Sequence, residues 1–260
     1  MKAILFDMDG VVYNSETPIP GASEALAWVR AQGIPHLFVT NTTSRGRRAL
    51  VEKLARFGIP ATERQILTPC VAAARWLRER GAGGVAVFVP PKAQGEFEGI
   101  ACLPEQAETG ADYVAIGDLG ERWDFRTLNR AFRLLHANPD ATLMALGMTR
   151  FWQSQDGIAL DVAPFVAALE HATGRKAMVF GKPAARFFHA AAEQLNVAAE
   201  EILMVGDDIV TDVGGAQQAG LRGALVKTGK FRPEDLAGGV MPDAVLESVA
   251  ELPAFYLTAK

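Results

Sequence analysis

The stretch KAILFDMDG at residues 2–10 decides how the first part of the chain folds. Its apolar residues are typical of a buried strand, and they lead directly into Asp7 and Asp9, two carboxylates one residue apart that are followed by a glycine. In a parallel α/β sheet, ligands bind at the carboxyl ends of the strands. Two carboxylates held together there repel each other unless a cation lies between them. The stretch predicts a strand that ends in a charged site, whereas a strand end with a polar turn explains this motif equally well when it is taken alone.

Two more apolar runs, at residues 35–40 and 202–207, also end in polar residues. Helical spacing of apolar residues fills the intervals after the first two runs, from about residue 20 to 33 and from 44 to 58. Strands that alternate with helices are typical of a parallel sheet covered by helices. The sequence therefore predicts an α/β fold with a doubly wound, Rossmann-like parallel sheet.

A second α/β region is predicted within residues 82–178. Its strand and helix patterns lie at residues 85–89, 113–117, 125–135 and 142–146. The glycine-rich residues 81–84 before it are typical of a hinge or linker. We expect residues 1–81 and 179–260 to form the core and residues 82–178 to form an inserted domain, because the candidate catalytic residues all fall outside the insertion. One continuous large sheet is the alternative.

Composition excludes several classes of protein. The chain has 260 residues, 49% hydrophobic and 22% charged, which is typical of globular domains and not of disordered chains. Its net charge of −4 and its lack of a dense basic stripe argue against nucleic-acid binding, and no apolar run approaches the ~20 residues that span a membrane.

Cys70 and Cys102 form no CxxC pair, so we expect two reduced thiols in a cytoplasmic protein. The four histidines are scattered, and none is assigned to zinc.

Four separated motifs carry the chemistry. The first is the acidic pair at residues 7–10, and the second is Thr-Asn-Thr-Thr at 40–43, whose donors would lie beside helix N-terminal amides that favour anions. The third is Lys182 between a glycine and a proline, and the fourth is Gly-Asp-Asp at 206–208 with Asp212 after it. Each alone is explained as a cap, turn or loop. Their occurrence in this order, with three of them directly after apolar runs, is improbable by chance and indicates one composite site.

With these motifs the chain resembles the haloacid dehalogenase superfamily of phosphatases. The α/β insertion between the second and third motifs makes it similar to subfamily IIA, which has C2-type caps and contains the NagD-type nucleotide phosphatases and the phosphoglycolate and pyridoxal phosphatases. Within that branch it most resembles the group of haloacid dehalogenase-like hydrolase domain-containing protein 2 and phospholysine phosphohistidine inorganic pyrophosphate phosphatase. The resemblance extends over almost the whole chain and rests on FVTNTT at 38–43, DG at 156–157, VFGKP at 179–183, MVGDD at 204–208, DVGGAQ at 212–217 and VKTGK at 226–230.

The resemblance implies a mechanism that the chemistry of the residues also supports. Asp7 would be the nucleophile that attacks a phosphate monoester and forms an aspartyl-phosphate. Asp9 would protonate the leaving oxygen and then take a proton from the hydrolytic water, which requires different environments for the two carboxyl groups. Mg²⁺ held by Asp7, the backbone carbonyl of Asp9 and Asp207 would offset the repulsion between carboxylates and phosphate.

The other motif residues would support these three. Thr40 and Asn41 would hold the transferring phosphoryl group, and Lys182 would neutralise its charge. Asp208 and Asp212 would orient Lys182 or the metal-bound waters rather than bind the metal directly.

The insertion would act as a cap that closes over the site, excludes water and reads the leaving group. The candidate substrate contacts follow a predicted strand or lie beside the phosphate motif, and they are Arg150, Trp152, Gln153, Asp156, Arg45 and Arg47. Solvated surface side chains are the alternative for each. The expected partner is a small phosphorylated metabolite such as a sugar phosphate or a nucleotide, and the resemblance also implies a homodimer through the cap.

Two alternatives to this phosphatase remain open. A carbon–halogen hydrolase of the same superfamily needs no metal, so Asp9, Lys182 and the Gly-Asp-Asp motif argue against it. A non-catalytic, metal-binding scaffold would be favoured by loss of Asp7 or Asp9, and both are present. Some members of the group that the chain most resembles carry Ser at the position of Asp9, and a carboxyl there favours turnover of alkyl phosphates with poor leaving groups. A nucleotide-binding fold is not indicated, because neither GxGxxG nor GxxxxGK[ST] occurs at the first βα turn.

Overall fold

The computed structural model describes residues 1–154 and 157–258, without the side chains of residues 153 and 154. Its strands are β1 (Ala3–Asp7), β2 (Tyr13–Asn14), β3 (Thr17–Pro18), β4 (His36–Val39), β5 (Ile66–Leu67), β6 (Val85–Phe88), β7 (Tyr113–Ile116), β8 (Thr142–Ala145), β9 (Phe151–Ser154), β10 (Gly157–Leu160), β11 (Met178–Val179), β12 (Ile202–Gly206), β13 (Arg222–Val226) and β14 (Ala244–Leu246). Its α-helices are α1 (Ala22–Ala31), α2 (Arg47–Arg56), α3 (Pro69–Glu79), α4 (Pro91–Gln94), α5 (Phe125–Ala137), α6 (Val162–Thr173), α7 (Ala185–Leu195), α8 (Gly215–Gln218) and α9 (Leu252–Thr258).

The first apolar run forms a central strand of a six-stranded parallel sheet. The strand order is β14-β13-β12-β1-β4-β5, and every residue of β1 is buried. Continuous apolar strands are typical of parallel sheets whose two faces are both covered by helices. Leu26 and Val29 of α1 and Leu54 of α2 share one buried core with Phe6 and Phe38 of the sheet. The predicted α/β fold with a doubly wound parallel sheet is confirmed.

Strand register brings the first two motifs to one edge of this sheet. Ile4 of β1 pairs with His36 of β4, so that Asp7, the last residue of β1, lies beside Val39. Thr40 is the next residue after Val39 and is buried. Because all strands run in the same direction, the residues after β12 end at the same edge.

A separate four-stranded parallel sheet has the order β11-β8-β7-β6. Helices α5 and α6 supply Leu134, Leu135, Val166 and Leu169 to its own apolar core. An antiparallel pair, β9 and β10, follows β8 in the chain. Among the described residues the two parallel sheets are not hydrogen-bonded to each other. The alternative of one continuous large sheet is therefore wrong for this part of the chain.

The contacts between Cα atoms divide the chain into two compact units. The first unit comprises Met1–Thr40, Arg47–Leu67 and Lys182–Lys260, and the second comprises Asn41–Gly46 and Thr68–Gly181. The sequence-based boundary at residue 82 places α3 in the core, but the contacts place it in the second unit. That the insertion acts as a cap stays a prediction.

The contacts of α3 explain its place in the second unit. Arg78 donates hydrogen bonds to the carbonyls of Glu96 and Glu98, both at 2.8 Å. The ring of Trp76 packs edge-on against Tyr113, 5.8 Å away. The glycine-rich stretch after α3 belongs to the same unit, since the Gly84 carbonyl accepts from the amide of Asp112 at 2.8 Å. Residues 81–84, for which the sequence predicts a hinge or linker, therefore lie inside the second unit and not at its boundary.

Among the described helices, none combines the length and the apolar character that a membrane span requires.

Candidate active site

Three buried carboxylates meet at the carboxyl ends of β1 and β12. Asp7 ends β1, Asp207 follows β12 directly, and Asp212 lies in a π-helical turn at Ile209–Gly214. Each side chain offers one carboxylate oxygen, and these oxygens lie within 4.8 Å of one another. The three residues are only 7%, 1% and 0% exposed. Because buried carboxylates are costly to ionise without partners, this cluster requires compensating positive charge.

Lys182 supplies part of that charge. Its Nζ lies 2.7 Å from Asp7 Oδ1 and 2.7 Å from Asp212 Oδ1, and its side chain is 3% exposed. Burial lowers the pKa of Lys182, but the carboxylates of Asp212 and Asp7 more than offset this, so that the pKa is raised and the amino group stays charged. Three carboxylates and one ammonium leave two negative charges uncompensated when all four groups are ionised.

The surroundings of Asp207 indicate where the missing positive charge would bind. Its Oδ2 accepts a hydrogen bond from the backbone amide of Lys230 at 2.7 Å, whereas its buried Oδ1 has no hydrogen-bond partner among the described residues. Burial, followed by the charges of Asp7 and Asp212, raises the pKa of Asp207 to about 8. A buried oxygen without a donor points to a proton or a cation at that place. Carboxylate oxygens are the ligands that hard divalent cations prefer, so the cluster fits a cation such as Mg²⁺.

The loop after β13 encloses Asp207. Gly10 and Gly229 both have positive φ, 89° and 66°, and a Cβ on either would overlap the Asp207 carboxylate. The hydroxyl of Thr228 donates to the carbonyl of Gly10. Thr228, Gly229 and Lys230 are not among the site residues predicted from the sequence. The available signal is the VKTGK stretch itself, which places two donors and a glycine after an apolar run.

Asp208 and Asp212 differ in what they contact. Asp208 Oδ1 accepts from the amides of Val210 at 3.0 Å and Thr211 at 2.9 Å, so its side chain caps the π-helical turn. Its Oδ2 lies 3.8 Å from Lys230 Nζ. Asp212 lies within the buried cluster, and its Oδ2 accepts from the amide of Asp208 at 3.2 Å. Burial first, partly offset by Lys182, raises the pKa of Asp212 to about 6.

Asp9 lies outside the buried cluster. Its side chain is exposed, and its Oδ1 accepts a hydrogen bond from the amide of Ser15 at 3.2 Å. Asp7, two residues earlier, is buried against Lys182. The two carboxylates of the motif therefore occupy different environments, which is the condition for giving them different roles in proton transfer.

The residues of the second motif lie in different units. The amide of Thr40 donates to the carbonyl of Leu67 at 3.2 Å in the first unit. Asn41 belongs to the second unit, where its Oδ1 lies close to Gly181, so that a Cβ on that glycine would approach it to 2.8 Å. Gly181 directly precedes Lys182 in the chain. Any side chain larger than glycine at position 181 would therefore crowd the side-chain amide of Asn41.

Of the candidate substrate contacts, Arg45, Arg150 and Trp152 are surface residues of the second unit, whereas Arg47 begins α2 in the first unit and donates to the carbonyl of Glu63 at 3.5 Å. Arg45 and Arg150 are exposed, and Trp152 is 47% exposed. The Arg150 guanidinium lies 6.0 Å from the ring centre of Phe151. The side chain of Gln153 and the whole of Asp156 lie outside the described residues. A substrate role for these residues stays a prediction.

Comparisons with known proteins find family models and relatives that match most of the sequence. A family model described as haloacid dehalogenase-like hydrolase matches residues 4–101, and a second HAD-hydrolase-like model matches residues 179–252. Phospholysine phosphohistidine inorganic pyrophosphate phosphatase from Xenopus laevis is 38% identical over 90% of this chain and 86% of its own. Haloacid dehalogenase-like hydrolase domain-containing protein 2 from Bos taurus is 41% identical over 90% of this chain and 87% of its own.

Solved structures show the same fold over nearly the full length. The p-nitrophenyl phosphatase from Archaeoglobus fulgidus is 28% identical, covers 98% of both chains and superposes with a TM-score of 0.89. NagD from E. coli K-12 is 25% identical, covers 96% of this chain and 98% of its own, and has a TM-score of 0.86. With the sequence relatives and the buried acidic cluster, these matches show that the chain belongs to the haloacid dehalogenase-like hydrolases, among the phosphatases of the NagD-like subfamily IIA.

Proposed function

We propose that this chain is a Mg²⁺-dependent phosphatase that hydrolyses small phosphate monoesters through an aspartyl-phosphate on Asp7, with Asp9 as general acid and base. The observation that carries the proposal is the buried cluster of three carboxylates around Lys182, which is two positive charges short of neutrality. A divalent cation would restore the balance, and a phosphoryl group could then approach Asp7 without facing bare negative charge.

The metal would be held by Asp7, the backbone carbonyl of Asp9 and Asp207. When bound, it would neutralise the carboxylates and the charge on the phosphoryl oxygens. The orphaned Oδ1 of Asp207 supports this assignment. Asp212, which contacts Lys182 at 2.7 Å, would orient that lysine, and Asp208 would support the turn that carries Asp212.

The reaction would proceed in two displacements. In the first, a carboxylate oxygen of Asp7 attacks phosphorus, the bond from phosphorus to the ester oxygen breaks, and Asp9 donates its proton to that leaving oxygen. In the second, a water attacks phosphorus, Asp9 takes its proton, the bond to Asp7 breaks and inorganic phosphate leaves. Thr40 and Asn41 would hold the phosphoryl oxygens, and Lys182 would neutralise their charge during both steps.

We further propose that the region at residues 82–178 is a cap that controls access and selects the leaving group. The exposed Arg150 and Trp152 in this region, together with Arg45, would contact the substrate. The substrate would be a small phosphorylated metabolite such as a sugar phosphate or a nucleotide. The names of the relatives support a phosphorylated compound, and they differ in the compound named. Both cysteines are free thiols, which suits a cytoplasmic location.

Release of inorganic phosphate from p-nitrophenyl phosphate tests the proposal. We expect release that requires Mg²⁺, stops with EDTA and is lost in Asp7→Asn, by about 10³-fold or more because covalent catalysis then has no nucleophile. Asp140→Asn, at an exposed aspartate, is the matched control and should keep the wild-type rate. Circular dichroism would verify that both variants fold.

Release that persists in Asp7→Asn or in EDTA would contradict the mechanism. A folded protein that binds Mg²⁺ but releases no phosphate from p-nitrophenyl phosphate would next be assayed with sugar phosphates, nucleotides and phosphoamino acids. Inactivity on all of these classes would favour the non-catalytic scaffold.

A further inference from the structure

A short hairpin follows residues 7–10 in the chain and donates a hydrogen bond to the Asp9 carboxylate. It consists of β2 and β3, and the backbone of Asp9 forms an isolated bridge with Tyr13 at its start. The amide of Gly10 donates to the carbonyl of Tyr13 at 2.7 Å. Ser15, at the tip, has a positive φ of 50° and donates its amide to Asp9 Oδ1 at 3.2 Å. A non-glycine residue held in this conformation indicates that the surroundings constrain the turn.

The hairpin has little to stabilise it by itself. Each of its strands has two residues, and both residues of β3 are exposed. Isolated two-stranded hairpins are at best marginally stable in water. The position of the Ser15 amide, and with it the orientation of the Asp9 carboxylate, therefore depends on contacts from outside the hairpin.

Lys53 of α2 supplies part of those contacts, beside the packing of the Tyr13 ring against Phe57 at 5.5 Å in the core. It is buried to 95%, and its Nζ lies 3.2 Å from Glu16 Oε1 and 3.9 Å above the centre of the Tyr13 ring. These partners flank Ser15 on both sides in sequence. Arg56, on the same helix, lies 3.2 Å from Glu16 Oε2. A buried ammonium between an aromatic face and a carboxylate is stable only while both partners stay in place, so its burial holds the hairpin to α2.

We propose that Lys53 is a positioning residue for Asp9: it fixes the hairpin so that the Ser15 amide keeps the Asp9 carboxyl directed for proton transfer to the leaving group. The inference rests on the proposed function. Lys53 itself touches neither the acidic cluster nor the phosphoryl site; its effect passes through Tyr13, Glu16 and Ser15.

A positioning role for Lys53 predicts an effect that a purely structural role does not. p-Nitrophenolate leaves without protonation, whereas phenolate, a stronger base of nearly the same shape, needs a proton from the general acid. General acid catalysis contributes about 10²–10⁴-fold. We expect Lys53→Met to lower kcat/KM for phenyl phosphate by about tenfold or more, as part of that factor, and to change kcat/KM for p-nitrophenyl phosphate by less than about threefold. The ratio kcat/KM reports the steps up to departure of the leaving group, whereas kcat also contains the later hydrolysis of the aspartyl-phosphate, in which Asp9 is the base for both esters.

The experiment measures kcat and KM on both esters for the wild type, Lys53→Met and Glu16→Gln. Arg48→Met is the control on the same helix, because the exposed Arg48 pairs at the surface with Glu52. The two hairpin variants are also combined with Asp9→Asn. Because they act through Asp9, they should cause no further loss on phenyl phosphate in that background.

Hydrogen exchange supplies a readout apart from activity. The amides of residues 10–17 should exchange faster in Lys53→Met than in the wild type or in Arg48→Met, because the hairpin loses its ion pair and ring contact with α2. If Lys53→Met does not fold, Glu16→Gln decides on the same terms, since it removes the carboxylate partner and keeps the lysine.

Different outcomes separate the failure of this inference from the failure of the proposed function. A wild type that is active on both esters, with Lys53→Met reducing kcat/KM for both equally or for neither, overturns the positioning role alone. The positioning role is also overturned if the loss on phenyl phosphate persists undiminished in the Asp9→Asn background. A wild type that is inactive on both esters and also on sugar phosphates, nucleotides and phosphoamino acids, or an active Asp7→Asn variant, overturns the proposed function and this inference with it.

Discussion

At the scale of single residues, Lys182 and the carboxylates around it show why the site must be assembled as a unit. Lys182 is buried and shared between Asp7 and Asp212. Each charge in such a cluster is stable because of the others, and removal of one leaves its partners buried without compensation. The contact with Lys182 at 2.7 Å also holds the Asp7 carboxylate in place, and a nucleophilic carboxylate must be oriented.

Lys182→Met should therefore lower both activity and stability. We expect the free energy of unfolding without metal to fall by about 3–5 kcal/mol, because the buried carboxylates of Asp7 and Asp212 lose the ammonium that lies 2.7 Å from each of them. Urea unfolding measures this change. Lys2→Met is the control: Lys2 pairs with Glu201 at the surface, and such pairs contribute about 0–1 kcal/mol. Equal stabilities of the two variants would show that Lys182 contributes no net stability to the cluster.

The raised pKa of Asp207 predicts how Mg²⁺ binding depends on pH. Burial, and then Asp7 and Asp212, raise this pKa from 3.8 to about 8, so the metal-free folded protein holds a proton that the unfolded chain has already lost. The resulting contribution to stability is fully present below pH 3.8 and is lost as the pH rises through about 8. A cation displaces that proton, so Mg²⁺ should bind more weakly by about tenfold for each pH unit below the pKa.

Thermal unfolding with and without saturating Mg²⁺ checks this prediction between pH 6 and pH 8.5. The rise in Tm that Mg²⁺ causes should be larger at the higher pH, and it should be nearly absent in Asp207→Asn at both. A rise in Tm that is independent of pH in the wild type would mean that Asp207 is already ionised without metal.

At the scale of elements, the loop after β13 completes the site although it contributes no catalytic group. Its Gly229 has a positive φ of 66°, and a Cβ there would overlap the Asp207 carboxylate and approach Gly10. Gly33, after α1, has nearly the same φ of 65° with nothing within 4 Å of its Cβ position. Alanine substitutions at the two glycines therefore separate two effects. At Gly33 an added Cβ costs only the strained backbone conformation, whereas at Gly229 it also crowds the Asp207 carboxylate.

Gly229→Ala should lose activity and Mg²⁺ affinity by at least about tenfold, because the added methyl displaces Asp207. Gly33→Ala should keep both and lose only about 1–2 kcal/mol of stability, which is the cost of a left-handed conformation for a residue with Cβ. Phosphate release and isothermal titration with Mg²⁺ compare the two variants. Equal Mg²⁺ affinities would show that the loop tolerates a side chain beside Asp207.

At the scale of the whole molecule, the two units carry different parts of the proposed function. The first contains the acidic cluster and Lys182, and the second contains Asn41 and the exposed candidate contacts. The second unit also exposes apolar side chains on the β9–β10 pair, with Ile158 75% and Leu160 62% exposed. Adjacent exposed apolar side chains are typical of interaction surfaces, and a homodimer through this region is the expected assembly.

Light scattering after size-exclusion chromatography tests the expected homodimer. We expect a dimer for the wild type and a monomer for Ile158→Asp, because a buried unpaired carboxylate opposes association. Met241→Asp is the control, since Met241 is 73% exposed but belongs to the first unit. A monomeric wild type would contradict the expectation directly.

Local sequence predicted the fold class, the strands β1, β4, β6, β7, β8 and β12, and the four motifs that supply the candidate site. The apolar run before Asp7 is typical of a buried strand, and the period of the apolar residues marks the helices that follow it and β4. The motifs after β1 and β12 were predictable for the same reason, since polar residues that directly follow buried strands meet at one edge of a parallel sheet.

Tertiary structure alone decided which groups touch. Lys182 contacts Asp7 and Asp212 although it is distant from Asp7 in the chain. The backbone amide of Lys230, from another part of the chain, donates a hydrogen bond to Asp207. It also decided that α3 packs with the second unit, through Arg78 and Trp76, and that Lys53 is buried against a hairpin rather than solvated on a helix face. Local periodicity specifies which face of an element is apolar, but long-range packing selects the partner, because one charged side chain has many possible partners until the chain folds.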